Sequence, residues 1–212
     1  MLLYRLYRFL TFPIRWAALY IRYKDDVFTL HEKMGRPTED RPRGDLVWVH
    51  AKDIAGAAEV VRGINAGMPG KIVLVTYNAR GVRDRPFVPG AIRQFAPIDN
   101  VSVIRNFLKF WEPSIAIYTG AEISPIQLHM LRKANIPSFM VNGNIPDKSY
   151  RWWKRVRWAV RKIVRCFKFV WAVDNKQVLR FANLGAQDVK SQELLFDSWK
   201  MREIILKIKR EA

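Results

Sequence analysis

Apolar residues along this chain fall into short unbroken runs, separated by stretches in which they recur every three or four positions. Runs of the first kind predict buried strands and stretches of the second kind predict helices packed on them. Residues 46–50, LVWVH, are the first strand, and residues 54–64 read as a helix that stops near Gly67 and Pro69. A second strand is expected over 72–76, then a loop of mixed charge over 78–89 and a weaker strand over 92–95. After a turn at Pro97, Ile98 and Asp99, a helix over 101–111 places Val103, Phe107, Leu108 and Trp111 on one face. Pro113 leads into a strand over 114–118, and Ser124 with Pro125 opens a helix to residue 134, because proline in a first turn forfeits no hydrogen bond. Strands are expected again over 138–141 and 169–173, with a helix over 176–184 closed by Gly185. This alternation is the signature of βαβ units on a parallel sheet with right-handed crossovers. The fold class that follows is α/β, a single three-layer domain with a parallel sheet over residues 46–197.

Three segments break the rhythm. Residues 148–168 carry nine Lys or Arg and no acid, while Trp152, Val156, Ala159, Ile163, Phe167 and Val170 recur at helical spacing, which predicts one basic amphipathic helix. Residues 34–44, MGRPTEDRPRG, hold two prolines and two glycines and read as a linker over 34–45. Ahead of it, residues 1–33 begin with an aromatic stretch interrupted by Arg5, Arg8, Arg15 and Arg22, so no uncharged run long enough to span a bilayer exists there. The order of charge, apolar run and small residues is not that of a signal peptide. Two readings remain for this segment: an N-terminal amphipathic helix contacting a membrane through Arg5, Arg8 and Trp16, or a helix packed on the domain's own core. Residues 198–212 form a basic helical tail.

Charge sharpens the picture. In 212 residues, 37 Lys and Arg stand against 19 Asp and Glu, a formal charge of +18 that calls for an anionic partner. Anionic lipid suits the basic helix, through residues such as Arg155 and Lys162, because an aromatic anchor accompanies it. A solvated or partner-binding face is the second reading. A basic nucleic-acid-binding module is the third, and it lacks any recognised motif or stacking platform. The lone Cys166 excludes an intramolecular disulfide framework, and His31, His50 and His129 lie too far apart in sequence to suggest a zinc site. Neither GxGxxG nor a P-loop is present, so no cofactor and no metal is expected.

Ligands of parallel sheets bind beyond the C-terminal ends of the strands. That rule selects residues 50–56, 76–81, 119–125 and 142–149, and within them His50, Lys52, Asp53, Gly56, Glu122, Asn142 and Lys148. Glu122 is placed where a carboxylate serves a sugar, a cation or a helix N-terminus, and His50 where an imidazole serves as acid or base. Each also has a plainer reading: Glu122 as a helix-capping acid, Lys52 and Asp53 as surface charges, His50 as a buried strand-end histidine.

Six motifs in order carry a resemblance: HAKDIAG at 50–56, VTYNARG at 75–81, PIDNVSVIRNFLKFWEP at 97–113, TGAEISP at 119–125, VNGNIPDKSY at 141–150 and RFANLGAQDV at 180–189. The sequence resembles the N-terminal half of the 3-deoxy-D-manno-octulosonic acid (Kdo) transferases of lipopolysaccharide synthesis, from the aromatic N-terminal segment to about Asp197. The resemblance implies the first of two Rossmann-like domains of GT-B type, the one that accepts a lipid A precursor at the membrane, while the second domain holds CMP-Kdo. It further implies a peripheral location at the cytoplasmic face of the inner membrane. Departures are specific. The family's HSxSxGE run places its serine pair at Ala51 and Asp53, its glycine at Ala55, and its glutamate, the candidate general base, at Gly56. In the METELWPN region the first glutamate becomes Gly120, the second stays as Glu122 and the proline as Pro125. The NARLS run meets Asn142, Gly143, Asn144, Ile145 and Pro146, so its arginine is lost. What the resemblance implies for the site is then Asp53, three residues before Gly56, and Glu122 as candidate catalytic carboxylates, with His50, Lys52, Gly56, Asn142 and Lys148 as candidate acceptor-binding groups. Transfer is expected to need a complementary donor-binding chain, and a non-catalytic role in binding acceptor lipid or a glycosyltransferase partner is the alternative.

Overall fold

The computed structural model of the chain describes residues 21, 26–78, 87–120, 123–191 and 198–212. Arg5, Arg8, Trp16 and Glu122 lie outside the described residues. Helix α1 (Val27–Lys33) precedes the body, which runs β1 (Leu46–Ala51), α2 (Ile54–Gly67), β2 (Ile72–Tyr77), β3 (Ile92–Phe95), α3 (Val101–Trp111) and β4 (Pro113–Thr119). It continues with α4 (Pro125–Lys133), β5 (Ser138–Gly143), α5 (Asp147–Arg155), α6 (Arg157–Val164), β6 (Phe167–Ala172), α7 (Asn175–Leu184), β7 (Val189–Ser191) and α8 (Ser198–Glu211).

The strands form one seven-stranded sheet in the order β3-β2-β1-β4-β5-β6-β7, and every neighbouring pair is parallel. Side chains of a strand alternate between faces, so the fully buried β1 feeds two cores. Val47, Val49 and Ala51 pack with α2 and with Met201, Ile204, Ile205 and Ile208 of α8. Leu46 and Trp48 pack on the other face with α3, α4, α6 and α7. The domain is therefore a Rossmann-like α/β/α sandwich, and the C-terminal helix is built into its core. Residues 34–45 are also fastened to the body: Arg41 Nε donates to the Trp111 carbonyl at 2.8 Å.

Helix starts follow from local capping. Asn100 Oδ1 accepts from the Ser102 and Val103 amides at the start of α3, and Asp174 Oδ1 accepts from the Gln177 amide at the start of α7. Gly185 closes α7 with a φ of +98°, the left-handed conformation that glycine adopts without a Cβ penalty.

The basic segment differs from its expectation. It forms two helices, α5 and α6, that break at Val156 (φ −113°, ψ 31°), while Trp153, Val156, Val160 and Val164 pack on the core. Phe167 and Val170 belong to β6, where the burial of FKFVWA alternates at its start as a strand requires. Trp152, placed on the apolar face by its spacing, is 59% exposed. Helix α1 falls within the segment 1–33 read as helical and is tied to the body by Glu32, which accepts from the Phe95 amide at 2.7 Å, whereas the short strand β7 was not foreseen from the pattern.

Candidate functional site

Chain order reverses direction at β1, which lies between β2 and β4, and a crevice opens at the carboxyl ends of strands beside such a point. There, a cleft of about 450 Å³ is lined by Lys52, Asp53, Ala55, Gly56, Glu59 and Arg62 from the start of α2. Its other walls are Thr119 and Gly120 after β4, Asn142 and Asn144 at the end of β5, and Val173 after β6.

Asp53 is the N-cap of α2. Its Oδ1 accepts from the Gly56 amide at 2.8 Å, and Oδ2 makes no hydrogen bond among the described residues. Gly56 sits at the meeting point of three polar groups: a Cβ placed there would lie 3.2 Å from Asp53 Oδ1, 3.5 Å from Thr119 Oγ1 and 3.9 Å from Asn142 Nδ2. Thr119 is 2% exposed, and its hydroxyl has no hydrogen-bond partner among the described residues. A buried hydroxyl is normally paired, so an unpaired one on a cleft floor is poised for a polar ligand. Lys52 and Arg62 are balanced by Asp53 and Glu59, a charge pattern that favours a hydroxylated ligand with modest charge over a free multivalent anion.

Four of the residues singled out from sequence thus share this cleft: Lys52, Asp53, Gly56 and Asn142. His50 does not line it. Its ring is 1% exposed, packed edge-on against Trp48 and Tyr118, and its Nδ1 lies 3.1 Å from Thr76 Oγ1. Burial, with Lys33 as a lesser cause, pushes its pKa down to about 3, so the imidazole is neutral in the ordinary pH range. Thr76 Oγ1 accepts from Trp48 Nε1 at 2.8 Å, which leaves the threonine proton for His50 Nδ1. Lys148 is exposed in the first turn of α5 and is not among the cleft residues, while Arg155 and Lys162 are exposed on α5 and α6. Thr119 and Asn144 belong to the strand-end stretches 119–125 and 142–149 selected from sequence, whereas Glu59 and Arg62 were missed as site residues. Positions 52, 55, 59 and 62 recur at helical spacing, a signal that pointed to one face of α2. Among the described residues, no group of three or more His, Cys, Asp or Glu is arranged to hold a metal ion.

Residues 29–195 match the family described as 3-deoxy-D-manno-octulosonic-acid transferase (kdotransferase). The chain belongs to this family. It is similar to the 3-deoxy-D-manno-octulosonic acid transferase of Rickettsia bellii (strain RML369-C), 27% identical over 194 residues, covering 85% of this chain and 46% of the relative. A probable mitochondrial 3-deoxy-D-manno-octulosonic acid transferase of Arabidopsis thaliana is 29% identical over 199 residues, 86% of this chain and 44% of the relative. The transferase of Rickettsia felis (strain ATCC VR-1525 / URRWXCal2) is 26% identical over 181 residues, 82% of this chain and 38% of that protein. The chain spans about half the length of these Kdo transferases, or less. Among solved structures, UDP-GlcNAc 2-epimerase from Neisseria meningitidis bound to UDP-GlcNAc superposes with a TM-score of 0.48 at 10% identity, covering 79% of this chain and 53% of that one. Among the described residues, no helix is long and apolar enough to cross a membrane.

Proposed function

We propose that this chain is the acceptor-binding half of a Kdo transferase-like activity in lipopolysaccharide synthesis. A lipid A precursor presents a sugar hydroxyl to the cleft, and a complementary donor-binding domain brings CMP-Kdo to it. The acceptor oxygen bonds to the anomeric carbon of Kdo as the bond from that carbon to the phosphate oxygen breaks, and CMP leaves with the electron pair. The acceptor proton passes to a carboxylate, for which Asp53 Oδ2 is the open oxygen at the cleft, with Glu122 as the second candidate. The protein acts peripherally at the cytoplasmic face of the inner membrane.

The observation that carries this reading is the unpaired Thr119 hydroxyl beneath a cleft of balanced charge at the switch point. Family membership supports it. A second reading rests on Gly56, which has no side chain to remove a proton: the cleft then holds acceptor lipid, or seats a glycosyltransferase partner, without turnover.

Thr119→Val separates ligand binding from folding. The substitution keeps the shape and removes a hydroxyl with no internal partner, so folding stability is expected to rise by about 1 kcal/mol. Binding of lipid A precursor, titrated in detergent micelles, is expected to weaken roughly tenfold. Undiminished binding in this variant would place the acceptor elsewhere.

A further inference from the structure

The packing of α5 and α6 leaves a surface that the cleft does not explain. Trp153, Val156, Val160 and Val164 turn inward. Trp152 and Trp158, 59% and 54% exposed, therefore face solvent on the outer side, together with the exposed Arg155, Lys162 and other cations of a stretch that contains nine Lys or Arg and no acid. Asp147, the acid just ahead of this stretch, is held by Arg180 and Lys176, so it does not neutralise the patch.

Exposed indoles and uncompensated cations together have a specific destination. Indole rings favour the head-group level of a bilayer, with an apolar body on one side and a polar edge on the other. Lys and Arg beside them are drawn to anionic lipid, and their long stems let the charged ends reach phosphates while the backbone stays above. We propose that the outer face of α5 and α6 is a membrane-docking surface: Trp152 and Trp158 enter the head-group region of an anionic bilayer, and Arg155 and Lys162 meet its phosphates. Helix α5 starts three residues after Asn144 of the cleft, so docking here brings the cleft's β5 side toward the lipid. The surface is independent of the chemistry assigned to the cleft, and its failure would leave that assignment standing.

The test uses the whole chain, labelled with fluorotryptophan, and vesicles of phosphatidylcholine with about 30% phosphatidylglycerol, with pure phosphatidylcholine as the reference. Trp152→Phe and Trp158→Phe assign the two indole resonances. Anionic vesicles are expected to shift or broaden both, and the double variant Trp152→Ala/Trp158→Ala is expected to bind these vesicles at least tenfold more weakly. Arg155→Gln/Lys162→Gln is expected to lower binding at about 0.1 M salt more than at about 0.5 M, where screening has already weakened the ionic part. Unmoved indole resonances with unchanged binding of the double alanine variant would overturn the proposal. So would resonances that respond to duplex RNA and not to vesicles.

Discussion

Acidification from pH 6.5 to pH 3 is expected to remove roughly 4 to 5 kcal/mol of folding stability through His50 alone. The buried imidazole has a pKa of about 3 in the fold, whereas the unfolded chain exposes it at an ordinary value near 6.5. Between these values the unfolded state takes up a proton that the native state refuses, so stability falls with falling pH by about 1.4 kcal/mol per unit. Above pH 6.5 neither state is protonated and this contribution is complete. The interval from pH 6.5 to 5 is the cleanest window, because ordinary carboxylates titrate below it. Urea midpoints measured across it are expected to fall steadily for the native chain, and His50→Asn, which keeps an acceptor for Thr76 and removes the titration, is expected to flatten the slope. A native chain with no loss across this window would contradict the buried neutral assignment.

Asp99→Ala is expected to cost about 2 to 4 kcal/mol, although the residue lies far from α4 in sequence. Helix α4 begins at Pro125, and its own N-cap, Ser124, makes no side-chain cap bond. Asp99 supplies the cap from the β3–α3 connection: its carboxylate accepts from the Ile126 amide at 3.2 Å and the Gln127 amide at 2.9 Å. Alanine would leave both buried amides without an acceptor and would remove the negative charge from a helix N-terminus. The Gln127 side chain continues the network, donating to the Pro97 carbonyl and accepting from Tyr118 Oη at 3.1 Å. Burial first, and Asp99 second, push the Tyr118 pKa well above the usual phenol value, which keeps it a donor. Asp99→Asn retains an acceptor oxygen and is expected to lose about half as much in urea denaturation. Equal losses in the two variants would show that charge, not the cap geometry, holds the loop.

These two residues mark the boundary of what the sequence makes legible. Strands such as 46–50 and 138–141 are visible because buried parallel strands are short apolar runs, and α3 is visible because its apolar face is regular. The strand-end rule led to Lys52, Asp53, Gly56 and Asn142, since it depends only on strand order. Long-range effects were hidden. Asp99 looked like a turn residue because its partners are 27 and 28 positions away. The spacing of residues 148–168 ran on through Phe167 and Val170, and only the sheet turns those two into a strand. Thr119 drew no attention for itself because a missing hydrogen bond is a property of packing and not of residue type. Trp152 shows the same limit from the other side: helical spacing assigned it to the core, and the structure packs Trp153 there instead.

Radiolabelled Kdo transfer from CMP-Kdo to lipid A precursor is the most direct test of the central claim. The purified chain is assayed alone and with the C-terminal half of a full-length relative such as that of Rickettsia bellii, alongside Asp53→Asn and Glu122→Ala variants. The account predicts no product from the chain alone, product with the complementing half, and a large reduction in at least one carboxylate variant. Product from the chain alone would contradict it, as would no product from the complemented pair in a chain that does not bind the acceptor.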